Sequence, residues 1–406
     1  MIKKGNLIIG QSGGPTMVIN QSLVGAVLEA LKHEEIDGIY GMQNGVEGLL
    51  QEKIVDLRKE SIENLEKVAN TPSSALGSCR YKPDEEDCEK IFDICKKYDI
   101  RYFFYIGGND SAETSNIINE IAKKSGYELR VFHIPKTIDN DLRENDHCPG
   151  YGSAARYVAL DFMGDNKDNT ALPGIKLNIV MGRHAGWLTA ASVLGKRNED
   201  EGPHLIYIPE RPVTLDKMTD DIDKVYSKYG RALIAVSEGL LNTDGKLMIE
   251  SYIQEKDSHG NVQLSGSGAL GDFLVREIKK RLAGKYGKLR VRADTLGYAQ
   301  RSFPTVASPV DAKEAREVAE FAVKSALIGD IDGSATIQRI GDGDKYEVKY
   351  EIVPLEKVAR VTRDLPDEYI NEEGNFVTEK FIEYAKPLVG ELPELGRLNF
   401  YPVEKK

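Results

Sequence analysis

The sequence lacks the features of a membrane protein or a nucleic-acid-binding protein. No apolar run among its 406 residues approaches 18, the length that a membrane-spanning helix needs. The start at residues 1–4 leads directly into a strand-like apolar segment, without the pattern of a signal peptide. The 54 Lys and Arg are outnumbered by 65 Asp and Glu, giving a net charge of −11 that disfavours anionic partners. We therefore expect a soluble, cytoplasmic protein without a membrane or nucleic-acid partner.

Cysteine is also scarce, which limits redox and metal chemistry. Only four cysteines are present, and no two of them form the C-x-x-C pair of metal and redox sites. Cys88 and Cys95 are seven residues apart in a predicted helix, which places them on one buried face. Cys79 and Cys148 fall in predicted loops. We expect four reduced thiols with structural roles.

Short apolar runs alternate with amphipathic stretches along most of the chain. This alternation predicts an α/β fold with parallel, doubly wound sheets, and the length suits two such domains. We predict strands near 6–10, 101–106, 129–134, 176–181, 204–208 and 232–236, and helices near 17–32, 84–98, 111–124, 187–195 and 214–228.

The last third of the chain departs from this alternation. Residues 335–340 and 346–352, joined by a Gly-Asp-Gly-Asp turn, predict a β-hairpin. The tail after it contains Pro366, Pro387, Pro393 and Pro402 and should wrap the body or a neighbouring chain. Residues 240–268 are rich in Asp, Gly and Ser and predict another hairpin-like excursion.

A cluster of charged residues follows the strand predicted at 129–134. Lys136 precedes Thr137, Asp139 and Asp141 there. Phosphoryl transfer needs a base near the attacking hydroxyl, a metal ligand and cations against the transferred oxygens, and these residue types can supply all three. An Asx-rich turn that only bends the chain gives the same pattern, so the cluster alone leaves both interpretations open.

Two glycine-rich turns also follow predicted strands and open predicted helices. One contains Gly13 and Gly14, and the other contains Gly107, Gly108, Asn109 and Asp110. Glycine lets backbone N–H groups approach an anion at a helix N-terminus. Neither turn fits the dinucleotide or Walker phosphate-loop pattern, which disfavours a dehydrogenase. With the Asp cluster they indicate one crevice at the carboxyl ends of an open sheet.

In these segments the chain resembles the phosphofructokinases, and most closely their pyrophosphate-dependent branch. The resemblance covers about residues 5 to 310 and implies a fold of two Rossmann-like domains with a C-terminal hairpin and tail. The similar segments, in family order, are 10–15, 107–111, 135–141, Met181-Gly182-Arg183-His184-Ala185-Gly186-Trp187, Ser237-Glu238-Gly239 and Leu296-Gly297-Tyr298-Ala299-Gln300-Arg301.

The resemblance implies roles for the sugar-phosphate site. Asp139 would take the proton from the sugar 1-hydroxyl, with Thr137 beside the transferred group. Arg183 would steady the transition state. The other residues implied in binding fructose 6-phosphate are Met181, Gly182, Glu238, Arg292, Tyr298 and Arg301, with Arg292 reaching in from a neighbouring subunit.

It also implies a donor site and a magnesium ion. The donor phosphates would lie against Gly13, Gly14, Gly108, Asn109, Asp110, Lys136 and Arg80, the last carried by the polar loop 71–82. Asp141 would hold Mg²⁺ together with Asn109. The family usually has Asp at the Asn109 position, so one formal charge is missing while an oxygen ligand remains.

The phosphoryl donor depends on Asp110 and Lys136. ATP-using relatives have a small residue at the Asp110 position, where the nucleotide's α-phosphate fits. A carboxylate there opposes that phosphate by a repulsion on the order of 4 kcal/mol at about 4 Å and an effective dielectric of about 20. Lys136 would instead attract the leaving phosphate of pyrophosphate. We therefore expect pyrophosphate rather than ATP.

Subunit contacts and domains follow from the same resemblance. A homodimer or homotetramer with a shared active site is expected. Where short ATP-using enzymes place a cross-subunit arginine, this chain has Gly174; Lys176 can substitute, or Arg292 can act alone. The donor domain should comprise residues 1–150 and about 297–345, and the sugar-phosphate domain 151–296 and about 346–406.

Three functions thus remain from the sequence. The first is reversible, pyrophosphate-dependent phosphorylation of fructose 6-phosphate to fructose 1,6-bisphosphate. The second is an ATP-dependent 6-phosphofructokinase. The third is a non-catalytic regulatory subunit of the same fold, which the Asn109 departure permits and the Asp139–Asp141 pair opposes.

Overall fold

Two sheets organise the chain. The structure is a computed structural model and describes residues 4–250, 268–329, 331–360 and 362–404. The strands are β1 (Gly5–Gln11), β2 (Ile36–Met42), β3 (Ile54–Asp56), β4 (Ile100–Gly107), β5 (Arg130–Pro135), β6 (Ile175–Val180), β7 (Leu205–Tyr207), β8 (Ala232–Ser237), β9 (Val291–Thr295), β10 (Gly333–Gly341) and β11 (Glu347–Val353).

The larger sheet has seven strands in the order β11-β10-β5-β4-β1-β2-β3. Its central strands are parallel, and β11 and β3 close the two edges as antiparallel partners of β10 and β2. In register, Gln11 lies opposite Ile106 and Gly107 lies opposite Pro135. The carboxyl ends of β1, β4 and β5 therefore meet at one edge, where both glycine turns and the Asp cluster begin.

The smaller sheet has four parallel strands in the order β7-β8-β6-β9. Val180 pairs with Ser237, and Ile179 pairs with Thr295. The segments that follow β6, β8 and β9 are thereby brought side by side, and they are the Met181, Glu238 and Arg301 motifs.

Helices cover both faces of the sheets. They are α1 (Ile19–Ala30), α2 (Gly45–Leu50), α3 (Ile62–Ala69), α4 (Glu85–Lys97), α5 (Asn109–Ser125), α6 (Tyr151–Ala171), α7 (Trp187–Ala190), α8 (Leu215–Tyr229), α9 (Ala269–Tyr286), α10 (Ala299–Ser302), α11 (Pro309–Leu327), α12 (Leu355–Val358) and α13 (Glu379–Val389).

Local sequence explains where several helices begin. Asp84 accepts a hydrogen bond from the Asp87 N–H at 2.9 Å, and Thr214 accepts one from the Lys217 N–H at 3.1 Å. Side-chain oxygens at this position satisfy backbone donors that the first turn leaves free. Proline at the first position of α11 follows its cap Ser308, where the missing N–H costs nothing.

The larger sheet carries a separate apolar core on each face. One joins alternate residues of β1, β4 and β5 to α1 and α11, and the other joins the remaining residues to α4 and α5. The rings of Phe104 and Phe132 stack across β4 and β5 with centroids 5.5 Å apart. Because these strands are buried on both faces, they appear in the sequence as continuous apolar runs.

The predicted α/β, two-sheet architecture is confirmed, and the predicted hairpin is the antiparallel pair of β10 and β11. The boundary expected near residue 345 falls within this hairpin, whose strand β11 pairs with β10 in the larger sheet. The helix predicted at 111–124 begins at Asn109, and the one predicted at 187–195 is a short α-helix continued by a 3₁₀ turn. The excursion predicted at 240–268 shows an antiparallel bridge from Leu241 to Leu247, and its residues 251–267 lie outside the described ranges.

The other sequence expectations concern cysteine and the membrane. All four cysteines are free and buried, and Cys88 and Cys95 share the core face of α4 as predicted. Among the helices within the described ranges, none combines the length and the apolar character needed to span a bilayer.

Candidate active site

The turn between β1 and α1 is lined by cations from two other parts of the chain. Gly13 has φ +73°, and the Lys136 ammonium donates to the Gly14 carbonyl oxygen at 2.9 Å. A Cβ built on Gly14 would lie 2.7 Å from a guanidinium nitrogen of Arg301. Any side chain at these positions would occupy the space between the turn and the cations.

Lys136 and Arg301 are both positively charged and lie close together below the surface, so they repel one another. Burial and the neighbouring Arg301 lower the pKa of Lys136 to about 8, with Arg80 adding to the effect. Burial and Arg80 likewise lower the pKa of Arg301. The Nε of Arg301 is buried and finds no hydrogen-bond partner among the described residues. Three cations around a glycine turn form a site for a polyanion.

The loop 71–82 is fastened beside this turn. The Ser78 hydroxyl donates to the Gly13 carbonyl oxygen at 2.6 Å, and the Gly13 N–H donates to the Cys79 carbonyl oxygen at 3.0 Å. Arg80 follows directly and is exposed. The loop therefore presents the Arg80 side chain from a fixed backbone.

The second glycine turn lies alongside the first. The Ser111 and Ser12 hydroxyls are hydrogen bonded at 2.9 Å, and a Cβ on Gly107 would lie 1.9 Å from the Ser111 oxygen. A Cβ built on Gly108 would lie 3.8 Å from the Lys136 carbonyl oxygen, an ordinary van der Waals contact, so the turn leaves room there. The Oδ1 atom of Asn109 is buried and has no partner in the described structure.

Asp110 occupies the first turn of α5 and points outward. Its side chain is 78% exposed and lies 4.0 Å from the Lys82 ammonium, which binds Glu113 more closely at 2.9 Å. The carboxylate thus lies at the rim of the cleft, not inside it.

The Asp cluster after β5 lies in the same cleft. The Asp139 N–H donates to the Thr137 hydroxyl at 3.1 Å, and Asn140 between the two carboxylates has φ 56°. Burial, Asp141 and Glu238 raise the pKa of Asp139 well above its usual range, and Lys136 and Arg301 oppose the shift. Burial also raises the pKa of Asp141. A carboxylate with a raised pKa is a better proton acceptor.

The turns after β6 and β8 interlock across the cleft. Gly182 has φ +135°, and its carbonyl oxygen accepts from the Ser237 hydroxyl at 2.6 Å. A Cβ on Gly239 would lie 2.0 Å from the Arg183 carbonyl oxygen. The Met181 N–H donates to Gln300 Oε1 at 3.1 Å. Backbone contacts therefore fix Met181, Gly182, Arg183 and Glu238 as one unit.

The last motif reaches the cleft through Arg301. Its guanidinium lies 4.5 Å above the ring of Tyr298, which is about half exposed at 47%. Glu238 and Asp139 partly offset the lowering of the Arg301 pKa by burial and Arg80. Glu238 follows a strand of the smaller sheet and Asp139 follows a strand of the larger one, so carboxylates from both sheets lie near this guanidinium.

Arg292 is the one expected site residue that lies apart from the others in the described structure. It is exposed on the edge strand β9, and its guanidinium donates only to the Val291 carbonyl oxygen, at 3.0 Å, among the described bonds. Lys176 pairs with Asp165, 3.4 Å away, and with Asp294. A Cβ on Gly174 would lie 2.8 Å from the Arg290 carbonyl oxygen, which leaves no room there for arginine.

Several residues that shape the cleft were missed from the sequence. Gln300 belongs to the segment 296–301, and its side-chain oxygen orients the Met181 backbone by accepting from the Met181 N–H. Arg363 and Tyr384 hold the Asp cluster from the C-terminal part of the chain. No local pattern marks Arg363 and Tyr384, because their partners in the Asp cluster are more than 200 residues away in sequence.

The oxygen donors of the cleft suit a hard divalent cation. Asn109 Oδ1 lacks a partner, and the Asp141 carboxylate follows β5, the strand next to β4. Within the described ranges no cluster of three or more His, Cys, Asp or Glu side chains can hold a metal alone. Mg²⁺ commonly takes one or two protein oxygens and completes its shell with phosphate oxygens and water, so these residues fit it.

Comparisons with known proteins agree on one family. The phosphofructokinase family model matches residues 6–326. A pyrophosphate–fructose 6-phosphate 1-phosphotransferase of Rhodospirillum rubrum is 52% identical over 99% of this chain and 98% of its own length. The enzyme of that name from Halomonas elongata is 35% identical over 99% and 98%. The crystal structure of a pyrophosphate-dependent phosphofructokinase from Nitrosospira multiformis superposes with a TM-score of 0.82, at 32% identity, covering 98% of this chain and 95% of that one.

Proposed function

The chain belongs to the phosphofructokinase family, and we propose that it transfers a phosphoryl group from pyrophosphate to the 1-hydroxyl of fructose 6-phosphate. The products are fructose 1,6-bisphosphate and phosphate, and the reaction is reversible. The observation that carries the proposal is the meeting of the buried Lys136 and Arg301 cations with Asp139 in one cleft. Relatives with this activity cover almost the whole chain.

The sugar side of the cleft, made of residues 181–183 and Glu238, binds fructose 6-phosphate in this proposal. The fixed turn of Met181, Gly182 and Arg183 positions the sugar, and the Glu238 carboxylate accepts its hydroxyls. Asp139 removes the proton from the 1-hydroxyl as the new bond to phosphorus forms. Its raised pKa supports this role, because the base must accept a proton from an alcohol.

The donor side, made of Gly13, Gly14, Gly108, Arg80 and Lys136, binds pyrophosphate. The two glycine turns leave space for the phosphates, and Lys136 faces the phosphate that leaves. Thr137 lies next to the group in transfer. Arg301 lies between the two sides, where it can contact the phosphoryl group from the sugar side while closing the donor turn. Positive charge held in place before the reaction stabilises the transition state without reorganisation.

Magnesium belongs to this proposal as the divalent cation. Asp141 and Asn109 Oδ1 would hold it, together with oxygens of pyrophosphate. When bound, it neutralises charge that develops on the phosphate oxygens. Asp141 keeps its carboxylate at the edge of the cleft, while Asp139 remains free to accept the proton.

The proposed preference for pyrophosphate depends on Asp110. Because this carboxylate is largely exposed, its repulsion of the α-phosphate of ATP is nearer to about 1 kcal/mol, as for charges about 4 Å apart in water. Charge alone is then too weak to exclude ATP. In this proposal the Asp110 side chain also obstructs a nucleotide sterically from its place at the rim, 4.0 Å from the Lys82 ammonium.

Arg292 completes the sugar site from a neighbouring copy in this proposal. Its place on the exposed edge strand β9, away from the other site residues, supports a role in a second subunit's cleft. A homodimer or homotetramer with shared active sites follows, and its mass in solution can be measured by light scattering.

Initial rates with fructose 6-phosphate and magnesium test the function directly. Pyrophosphate and ATP are compared at equal concentration, for the parent chain and for Asp110→Gly. We expect turnover with pyrophosphate alone in the parent, and detectable ATP turnover in the variant. Glu120→Gln, an exposed change on the same helix, is the control and should leave both rates unchanged.

The outcomes separate the three functions. Parent turnover with ATP alone would identify an ATP-dependent enzyme. No turnover with either donor in the folded protein would favour a regulatory subunit. Pyrophosphate turnover in the parent without any ATP turnover in Asp110→Gly would support the proposed function and show that residues other than Asp110 exclude ATP.

A further inference from the structure

The Asp139–Asp141 loop is held by an arginine far along the chain. The Arg363 guanidinium donates to three backbone carbonyl oxygens of this loop region, those of Asn140 at 2.9 Å, Asn145 at 2.6 Å and Asp146 at 2.9 Å. Its backbone N–H donates to the Asp141 carbonyl oxygen at 2.8 Å. Arg363 thus bonds to backbone atoms within and directly after the pair of carboxylates.

The same arginine contacts the sugar-binding motif. Its guanidinium lies 4.5 Å from the ring centroid of Trp187, and the Trp187 indole N–H donates to the Arg363 carbonyl oxygen at 3.5 Å. Glu210 accepts from the N–H groups of both Gly186, at 2.8 Å, and Leu365, at 2.9 Å. The segment around Arg363 is therefore tied to both walls of the cleft.

Tyr384 provides a second support for the loop. Its hydroxyl accepts from the Asn140 amide at 2.9 Å and donates to the Asp146 carbonyl oxygen at 2.7 Å. Asn140 has the left-handed φ of 56°, a conformation that costs free energy in a residue other than glycine. Tyr384 and Arg363 together stabilise that conformation, and the conformation sets the direction of the carboxylates on either side.

We propose that Arg363 is a positioning residue for the transfer reaction, holding the Asp139–Asp141 loop in a fixed position against the Gly186–Trp187 motif. This inference rests on the proposed function of the cleft. Arg363 and Tyr384 both lie beyond residues 6–326, the part matched by the family model. The C-terminal part of the chain thereby has a task in catalysis, not only in packing.

Only arginine can make this set of contacts. A planar fork reaches several carbonyl oxygens in one plane while its face stacks on an aromatic ring, and a lysine ammonium does neither. Arg363→Lys keeps the positive charge and removes the planar guanidinium. Because small displacements of reacting groups cost up to about 100-fold in rate, we expect a fall in kcat of about 10- to 100-fold. The KM for pyrophosphate should stay within about threefold, since the Gly13 turn has its own hydrogen bonds.

The experiment compares the parent, Arg363→Lys, Tyr384→Phe and Arg143→Met. Arg143 is exposed, lies on the same loop and bonds to the Thr362 carbonyl oxygen at 3.2 Å, so it is the matched control. Each protein is assayed for kcat and both KM values and melted to determine its folded fraction. Trp187 is the single tryptophan of the chain, so its emission reports the Arg363 contact.

We expect Arg363→Lys to change the Trp187 emission and to lower kcat in fully folded protein, with Tyr384→Phe showing a smaller fall and Arg143→Met none. A kcat per folded molecule within about threefold of the parent in both Arg363→Lys and Tyr384→Phe would overturn the inference. If Arg363→Lys does not fold, Tyr384→Phe decides alone. A parent that uses ATP but not pyrophosphate refutes the proposed donor, and the same variants then test the positioning role with ATP.

Discussion

The donor side and the sugar side of the cleft are built in opposite ways. On the donor side, Lys136 lies close to Arg301 at the boundary of the two sides, and burial together with neighbouring cations lowers the pKa values of both groups. On the sugar side, the turns after β6 and β8 are locked by backbone contacts at Gly182 and Gly239. The donor side therefore gains stability when an anion arrives, whereas the sugar side is already in place before any ligand binds. Stability and activity should trade against each other only on the donor side.

Asp139 serves both sides, so its loss should have the largest effect. Asp139→Asn keeps the shape and removes the base, and we expect kcat to fall by about 10²- to 10⁴-fold. Fructose 6-phosphate should still raise the melting temperature, because residues 181–183 and Glu238, which bind the sugar in this proposal, are unchanged. Rates and thermal shifts measure the two effects, with Asp37→Asn, an exposed carboxylate, as the control. A kcat near that of the parent would remove Asp139 as the base.

Lys136→Met tests the donor side and should change activity and stability in opposite directions. We expect kcat/KM for pyrophosphate to fall by about 10²- to 10³-fold, as when a preorganised charge is removed. The free protein should become more stable by about 1 kcal/mol, because a buried ammonium beside Arg301 is gone. Urea unfolding measures the stability, and Lys124→Met on the exposed end of α5 is the control. If Lys136→Met lowered both the stability and the activity, the contrast drawn between the donor side and the sugar side would be wrong.

Gly239→Ala tests the sugar side and should lower activity and stability together. The new Cβ would meet the Arg183 backbone at 2.0 Å, so the turns must separate. We expect a loss of about 1–3 kcal/mol in the free energy of unfolding. The KM for fructose 6-phosphate should rise about tenfold, and the thermal shift with pyrophosphate should remain. Gly164→Ala in α6, where a Cβ meets no neighbouring atom within 4 Å, should be neutral or stabilising.

The response to pH should again differ in sign between binding and stability. Lys136 has its pKa lowered to about 8 from an ordinary value of 10.5. Between these values the unfolded chain binds more protons than the folded one, so the free protein gains stability as the pH rises. Pyrophosphate needs the ammonium, so kcat/KM should fall about tenfold per pH unit above 8. If the stability of the free protein and kcat/KM changed in the same direction as the pH rises above 8, the assignment to Lys136 would be refuted.

The sequence predicted the parts of the site that lie in local patterns. Gly13, Gly108, Lys136 and Asp139 all follow apolar strands directly, and parallel strands bring their carboxyl ends together. Most of the strands were predicted within a residue or two for the same reason. The roles assigned to the individual site residues remain predictions.

The missed elements depend on contacts that no local window contains. The helix α6 is covered on several sides by α7, α10, α11 and α13. Apolar and polar residues therefore alternate little along its 21 residues, and its hydrophobic periodicity is weak. Arg363 donates to backbone carbonyl oxygens, and so does Tyr384 at Asp146. Every residue has such an oxygen, so these bonds require no particular residue type at the acceptor position. Side chains that act on a distant backbone are for that reason the hardest to predict from sequence.

The pairing of β10 with β5 also has a consequence for synthesis of the chain. Ser334 reaches back to His133, a separation of 201 residues, and the contacts of Arg363 and Tyr384 with the Asp loop span still more. A domain forms on the ribosome only when all of its strands have emerged. The nascent chain must therefore carry β5 without its edge partner β10 while about half of the chain is synthesised, because His133 and Ser334 are 201 residues apart. Chaperone demand should be highest in that interval, and a ribosome-bound chain stalled before residue 333 should be protease-sensitive throughout its larger sheet.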